Sequence, residues 1–270
     1  MTDPATIAAL KRRATALRRH ILLPASTSFA HLGGAMSCAD IMAALHFHFL
    51  RFGDAGHKAD HFLMSKGHAV TALHACLVEL GQLDVAELPL SGHAGSRLAG
   101  HPTKRAPGVE FATGSLGHAL SVGIGVAMAE QLNESDARTV VLLGDGELQE
   151  GTVWEAALSA PRFGLERLIA IVDYNRFQAG GNVDAVMPLE PLADKWRSFR
   201  WNVTEIDGHD MQAIVTALDD VPAATGPTAI IAHTVKGKGV PGVEGTGRAH
   251  YTMLTDAEVK RTLEALEAGG

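Results

Sequence analysis

Asp145 and Asn175 are the residues of this sequence best placed to hold a metal ion. Each closely follows a short apolar run, residues 139–143 and 168–172, that reads as a buried strand. Their carboxylate and amide oxygens, with a nearby backbone carbonyl, are hard donors of the kind Mg²⁺ takes, with phosphate oxygens often completing its shell of about six. Gly144 and Gly146 flank Asp145, so backbone and ligand can come close. Asp145, Glu147 and Glu150 cluster at the same point. At about 4 Å and an effective dielectric near 20, each would repel a phosphate charge by roughly 4 kcal/mol, and a bound divalent cation reverses that sign. The residues alone leave a second reading open, since Asp and Asn also cap turns. The pattern counts against a dinucleotide loop: Gly144-Asp145-Gly146 lacks the third glycine of G-x-G-x-x-G, and Gly123-Ile124-Gly125 is a weaker match, lying in a helical pattern.

The elements around this pair predict how it is held. A helix over 151–163, with Gly164 as its stop, joins the two apolar runs into a βαβ crossover. Its strands are parallel, so Asp145 and Asn175 emerge at the carboxyl edge, where open α/β sheets bind ligands. Residues 60–65, 201–206 and 228–233 read as further strands, and 4–23, 37–51, 68–80, 118–132 and 210–219 as helices. This alternation predicts an α/β fold: one doubly wound, mostly parallel sheet with helices on both faces, a single domain over 1–270. Residues 81–117 read as irregular, and loops that long are usually functional. Ser121, Gly123, Gly125 and Ala129 line the 118–132 helix. They call for close approach of another backbone, within the domain or at a subunit interface.

The chain has 270 residues, 46 % of them hydrophobic and 5 % aromatic, with a formal charge of −7. That charge argues against a nucleic-acid surface. The basic cluster Lys11, Arg12, Arg13, Arg18 and Arg19 reads as a solvated helix face. No apolar run approaches the roughly 20 residues that span a bilayer. Cys38 and Cys76, the two cysteines, sit in apolar surroundings and suggest a reducing compartment, so the expectation is a cytoplasmic protein.

Seven ordered segments carry a resemblance: SKGHA at 65–69, GSRLAGHP at 95–102, TGSLGHALS at 113–121, GDGELQEGTVWEAA at 144–157, MPLEPLADKW at 187–196, DGHD at 207–210 and TVKGKG at 234–239. Together they resemble the N-terminal half of transketolase, above all families in which that half is a separate chain. The resemblance implies a thiamine diphosphate-binding fold. It implies Mg²⁺ held by Asp145, Asn175 and the Phe177 carbonyl, and thiamine diphosphate contacted by Lys66, His68, Gly114, Ser115, Leu116, Gly144, Asp145, Gly146, Glu147, Asn175 and Lys236. His31, His68, His101 and His250 match the family's active-site histidines. Of the other histidines, His20, His46, His48, His57 and His61 read as packed or exposed, and His118 and His233 as further polar contributors.

The implied reaction moves a two-carbon ketol unit from a ketose to an aldose, with the cofactor as electron sink and histidines exchanging protons with substrate hydroxyls. The pyrimidine-binding and C-terminal domains are expected on a separate transketolase C-terminal subunit, in a heterotetramer. Competing readings are part of a 1-deoxyxylulose-5-phosphate synthase-like enzyme and a non-catalytic binding subunit. Departures from the family pattern point away from a standard pentose phosphate: Phe29-Ala30-His31 for Ser-Gly-His, His118 after Gly114-Ser115-Leu116-Gly117, and Gly247-Arg248-Ala249-His250 without Trp-His-Gly.

Overall fold

Strands built of Val, Ile, Leu and Ala on both faces must be covered on both faces. The computed structural model describes residues 2–28, 30–53, 60–221 and 225–268 and shows how. Its strands are β1 (His61–Met64), β2 (Thr139–Gly144), β3 (Leu168–Tyr174), the short β4 (Phe177–Gln178) and β5 (Gly181–Asn182), β6 (Asn202–Asp207) and β7 (Thr228–His233). Five of them form one sheet in the order β1-β2-β3-β7-β6, every neighbouring pair parallel. β4 and β5 make a separate antiparallel hairpin.

The helices are α1 (Pro4–Thr27), α2 (Leu32–Ser37), α3 (Ala39–Ala44), α4 (Val70–Glu79), α5 (Ala119–Leu132), α6 (Gly151–Ser159), α7 (Val183–Val186), α8 (Leu192–Ser198), α9 (Met211–Asp219) and α10 (Asp256–Ala268). The period of two along each strand divides the core. Val140, Leu142, Ile169, Ile171 and Ile230 pack under α1 to α4, α9 and α10. Val141, Leu143, Ala170, Val172 and Ile231 pack under α5, α6 and α8. The doubly wound expectation therefore holds.

The structure corrects three local readings and divides a fourth. The expected helix over 37–51 is broken at Cys38, between α2 and α3, and widens into a π-turn over Leu45–Phe49. Ser37 Oγ and Cys38 Sγ both donate back to the Gly34 carbonyl, which competes with regular helix bonding. The expected 151–163 helix is α6 followed by a tighter 3₁₀ turn, Ala160–Phe163, and Gly164 stops it at φ 60°. Arg18 is not solvated: it is 7 % exposed and clasps Asp40 with both terminal nitrogens, at 3.0 and 2.6 Å. In α5, only Gly123 answers the demand for close packing within the domain. A Cβ there would lie 2.7 Å from Val141 Cγ2, whereas Ser121, Gly125 and Ala129 are exposed. Residues 81–117 are irregular as expected, apart from a 3₁₀ turn at Val85–Leu90.

Candidate active site

Four adjacent parallel strands end at one edge, and each delivers a side chain there. β1 runs into Lys66, β2 into Asp145, β3 into Asn175 and β7 into Lys236. The register pairs Gly144 with Asp173, so the ends of β2 and β3 lie level. The cavity at this edge has a volume of about 380 Å³. All four residues line it, with Gly114, Leu116, Phe177 and the histidines 31, 68, 101 and 250.

On the floor, Asp145 accepts from the backbone N–H groups of Gly146 at 2.7 Å and Arg176 at 2.6 Å. Asn175 Oδ1 accepts from Phe177 N at 3.1 Å, and its Nδ2 donates to Asp173 at 3.1 Å. The Phe177 carbonyl accepts from Lys236 Nζ at 2.6 Å. These oxygens keep a second lone pair each. Burial, and next the charge of Asp173, push the Asp145 carboxyl up to about 6. A buried carboxylate raised in this way is what a bound cation would hold ionised. Among the described residues no group of three or more His, Cys, Asp or Glu side chains is spaced to hold a metal by itself. One carboxylate, one amide and one carbonyl fit a Mg²⁺ completed by phosphate oxygens.

Both lysines are buried, at 0 and 2 % exposure, so they are not ordinary surface lysines. Lys66 Nζ donates to the Gly34 carbonyl at 2.9 Å and forms an ion pair with Asp173. Burial is the largest influence and disfavours its charge, but Asp173, with Cys38 and Asp145, together more than offset it and raise the ammonium above its ordinary value. Lys236 Nζ donates to Phe177 and, at 3.0 Å, to His250 Nδ1. Burial and then Lys66 bring Lys236 down to about 8. Each ammonium therefore spends two of its three donors on the protein.

His31 sits at the centre of the roof. Its ring centroid lies 5.4 Å from those of His68 and His250, 6.0 Å from His101 and 4.8 Å from Tyr251. Burial first, then neighbouring positive groups, lower His31, His68 and His250, the last to about 4. At neutral pH these three rings are uncharged and can give or take a proton in a hydrogen bond.

A family profile described as "Transketolase, thiamine diphosphate binding domain" matches residues 23–268. The chain belongs to that family. It is 40 % identical over 248 residues to one subunit of an apulose-4-phosphate transketolase from Phocaeicola vulgatus, covering 88 % of each chain. It is 37 % identical over 245 residues to a 6-deoxy-6-sulfo-D-fructose transketolase subunit from a Clostridium species, covering 89 % of each. The solved transketolase of Leishmania mexicana superposes with a TM-score of 0.88 at 27 % identity. That match takes in 99 % of this chain and 42 % of the other, so the chain spans under half the length of that transketolase.

Within this transketolase chain, the site residues expected from sequence converge, with two qualifications. Ser115 is exposed and lies outside the cavity lining. Gly114 at φ 142° and Gly117 at φ 83° turn the loop so that Leu116, not Ser115, faces inward. Glu147 lines the cavity, but its carboxylate is turned to the scaffold. It accepts from Gly117 N at 2.9 Å, Gly144 N at 3.0 Å and Ser65 Oγ, which ties three loops together. His118 is exposed, its Nδ1 donating to the Leu116 carbonyl. His233 pairs with Glu205 and lies against Tyr174, away from the cavity. His20, His46, His48 and His61 bond to Glu79, Met42, Asp219 and Glu110, as packed or surface histidines do. Phe29 and His57 lie outside the described residues.

One residue escaped the sequence reading. Asp173, with 0 % exposure, accepts from Ser37 Oγ at 2.6 Å, Asn175 Nδ2 at 3.1 Å, Lys66 Nζ and Thr234 Oγ1. A signal existed: a carboxylate inside an apolar strand, two residues before Asn175 and so on the same face.

Proposed function

We propose that this chain is the cofactor-binding half of a two-chain transketolase-type transferase, which moves a two-carbon ketol unit between sugars. A second polypeptide carries the pyrimidine-binding half. The observation that carries the reading is the pairing in one cavity of an oxygen-donor floor, Asp145 and Asn175, with a roof of four histidines. Two relatives that match this chain along most of their length are themselves named as single subunits of transketolases, which supports the division into two chains. The named relatives act on an apulose phosphate and a sulfonated fructose, so a specialised anionic sugar is the substrate class.

Asp145, Asn175 and the Phe177 carbonyl hold Mg²⁺, and Lys66 and Lys236 balance the diphosphate charge. When bound, thiamine diphosphate supplies the electron sink that ketol transfer requires. The uncharged His31, His68 and His250 bond substrate hydroxyls and hold or release protons at them, with His101 beside them at the rim. No helix among the described residues is long and apolar enough to cross a membrane. Cys38 and Cys76 are free and buried, which suits the reducing cytoplasm.

The test is reconstitution. The chain alone should transfer no ketol unit, and mixing with its C-terminal companion should restore transfer from a ketose donor. Asp145→Ala should abolish Mg²⁺-dependent thiamine diphosphate binding in the complex, read by titration calorimetry. Robust turnover by the chain alone, or unchanged cofactor affinity in the variant, refutes the reading.

A further inference from the structure

The segment Asp207-Gly208-His209-Asp210 follows β6, one strand outside the four that deliver side chains to the cavity, and none of its residues lines that cavity. It touches the site's framework from behind. Gly208 N donates to the His233 carbonyl at 2.8 Å, and a Cβ at Gly208 would collide with the Thr234 methyl. The turn therefore lies hard against the end of β7. Asp207 Oδ1 accepts from His209 N at 2.8 Å, and Asp210 caps α9.

Two bonds fix where the His209 ring carries its proton. Nε2 lies 2.9 Å from Val235 N, a backbone N–H that can only donate, so Nε2 must be bare. Nδ1 then holds the proton and donates to Asp40 Oδ2 at 2.8 Å. Asp40, in α3, is clasped in turn by Arg18 from α1. Burial opposes the Asp40 charge, but Arg18 and then His209 hold its carboxyl at about 2, so it meets the ring ionised.

Val235 immediately precedes Lys236. On the far side of that lysine the loop is held by backbone: Gly245 N donates to the Lys236 carbonyl at 2.8 Å, and Gly237 N to the Gly33 carbonyl at 3.0 Å. On the near side the acceptor is the imidazole. A buried Arg–Asp pair adds little net stability, because lost hydration offsets the attraction. A carboxylate on Nδ1 does something more specific, since it selects the tautomer and turns the ring.

We propose that His209, oriented by the Arg18–Asp40 pair, is a positioning residue that holds the Val235 N–H and so aims Lys236 Nζ at the diphosphate. The second half rests on the reading that Lys236 balances that diphosphate. The hold on Val235 can be read without cofactor.

The hold is tested in the full chain. Imidazole ¹⁵N spectra of the wild type should show His209 Nδ1 protonated and Nε2 bare. The opposite tautomer overturns the proposal whether or not any variant folds. His209→Ala should speed amide exchange at Val235 about tenfold. His209→Gln, whose amide can accept from Val235 and donate to Asp40, should restore most of the protection. Action through Lys236 is tested in the reconstituted complex with Mg²⁺, by calorimetry with thiamine diphosphate. His209→Ala should weaken binding about fivefold, the scale of one neutral hydrogen bond, and His209→Gln should recover it. On a Lys236→Met background, His209→Ala should cost nothing further. Equal losses on both backgrounds, or no rescue by glutamine, overturn the proposal. A wild-type complex that binds no thiamine diphosphate, from chains that still show the Val235 exchange difference, counts against the transketolase reading and leaves the hold on the lysine loop standing.

Discussion

Asp173 is the residue on which the rest of the site is hung. Its four partners come from α2, the end of β1, the end of β3 and the segment after β7. By accepting from Asn175 Nδ2 it fixes which way the amide faces, leaving Oδ1 on the side of Phe177 and the cavity. It also provides the counter-charge for the fully buried Lys66. Asp173→Asn should therefore strand a buried ammonium, and breaking such a pair from one side costs about 3–5 kcal/mol. Urea unfolding should show that loss. Adding Lys66→Met should recover most of the stability, since no unpaired charge then remains. Cofactor affinity should stay weak in the double variant, because Lys66 no longer balances the diphosphate charge. Equal urea midpoints for wild type and Asp173→Asn would refute the charge pairing. That Asp145 and Asn175 meet at one edge of the sheet was legible in sequence because they end two apolar runs. Asp173 was not, since a charge inside such a run reads as the strand's frayed end until three other elements are seen to converge on it.

At the scale of elements, the sheet was legible because its strands are apolar on both faces, and period and length suffice to read such runs. What failed were junctions decided by side-chain bonds to backbone, such as the break at Cys38, and by close approach. Gly117 and Gly125 show how context divides one residue type. Gly117 has φ 83°, and a Cβ there would lie 2.5 Å from Thr152 Oγ1. Gly125 is an exposed helical position with nothing within 4 Å of a built Cβ. Gly117→Ala should destabilise the chain by about 1–3 kcal/mol, the usual cost of a strained conformation. Hydrogen exchange should quicken around 113–118 as the loop pinned by Glu147 loosens. Gly125→Ala should instead stabilise by about 0.5–1 kcal/mol through helix propensity. Shifts of the same sign in urea midpoints would contradict this assignment of the two glycines.

For the whole molecule, the core under α1 to α4 holds two histidines that no ligand explains. His46 and His74 are 5 and 1 % exposed, and burial lowers both to about 4 from an ordinary 6.5. Each is neutral in the folded chain. As pH falls below 6.5 the unfolded chain takes up protons that the folded chain refuses, so stability present above that value is lost on the way to pH 4. At pH 5 the loss is about 2 kcal/mol per histidine. Asp40 acts in a lower window. Burial opposes its ionisation, but Arg18 and His209 hold it at about 2, so its contribution fades only below pH 3.8. The fold should thus weaken in mild acid before Asp40 titrates. His74→Leu separates the two effects, because His74 Nδ1 is buried without a partner and its removal strands no polar group. The variant should match or exceed wild type at pH 7.5 and gain about 2 kcal/mol over it at pH 5. A gap in unfolding free energy that is the same at both pH values would place the acid sensitivity outside this core, among the histidines of the active-site roof.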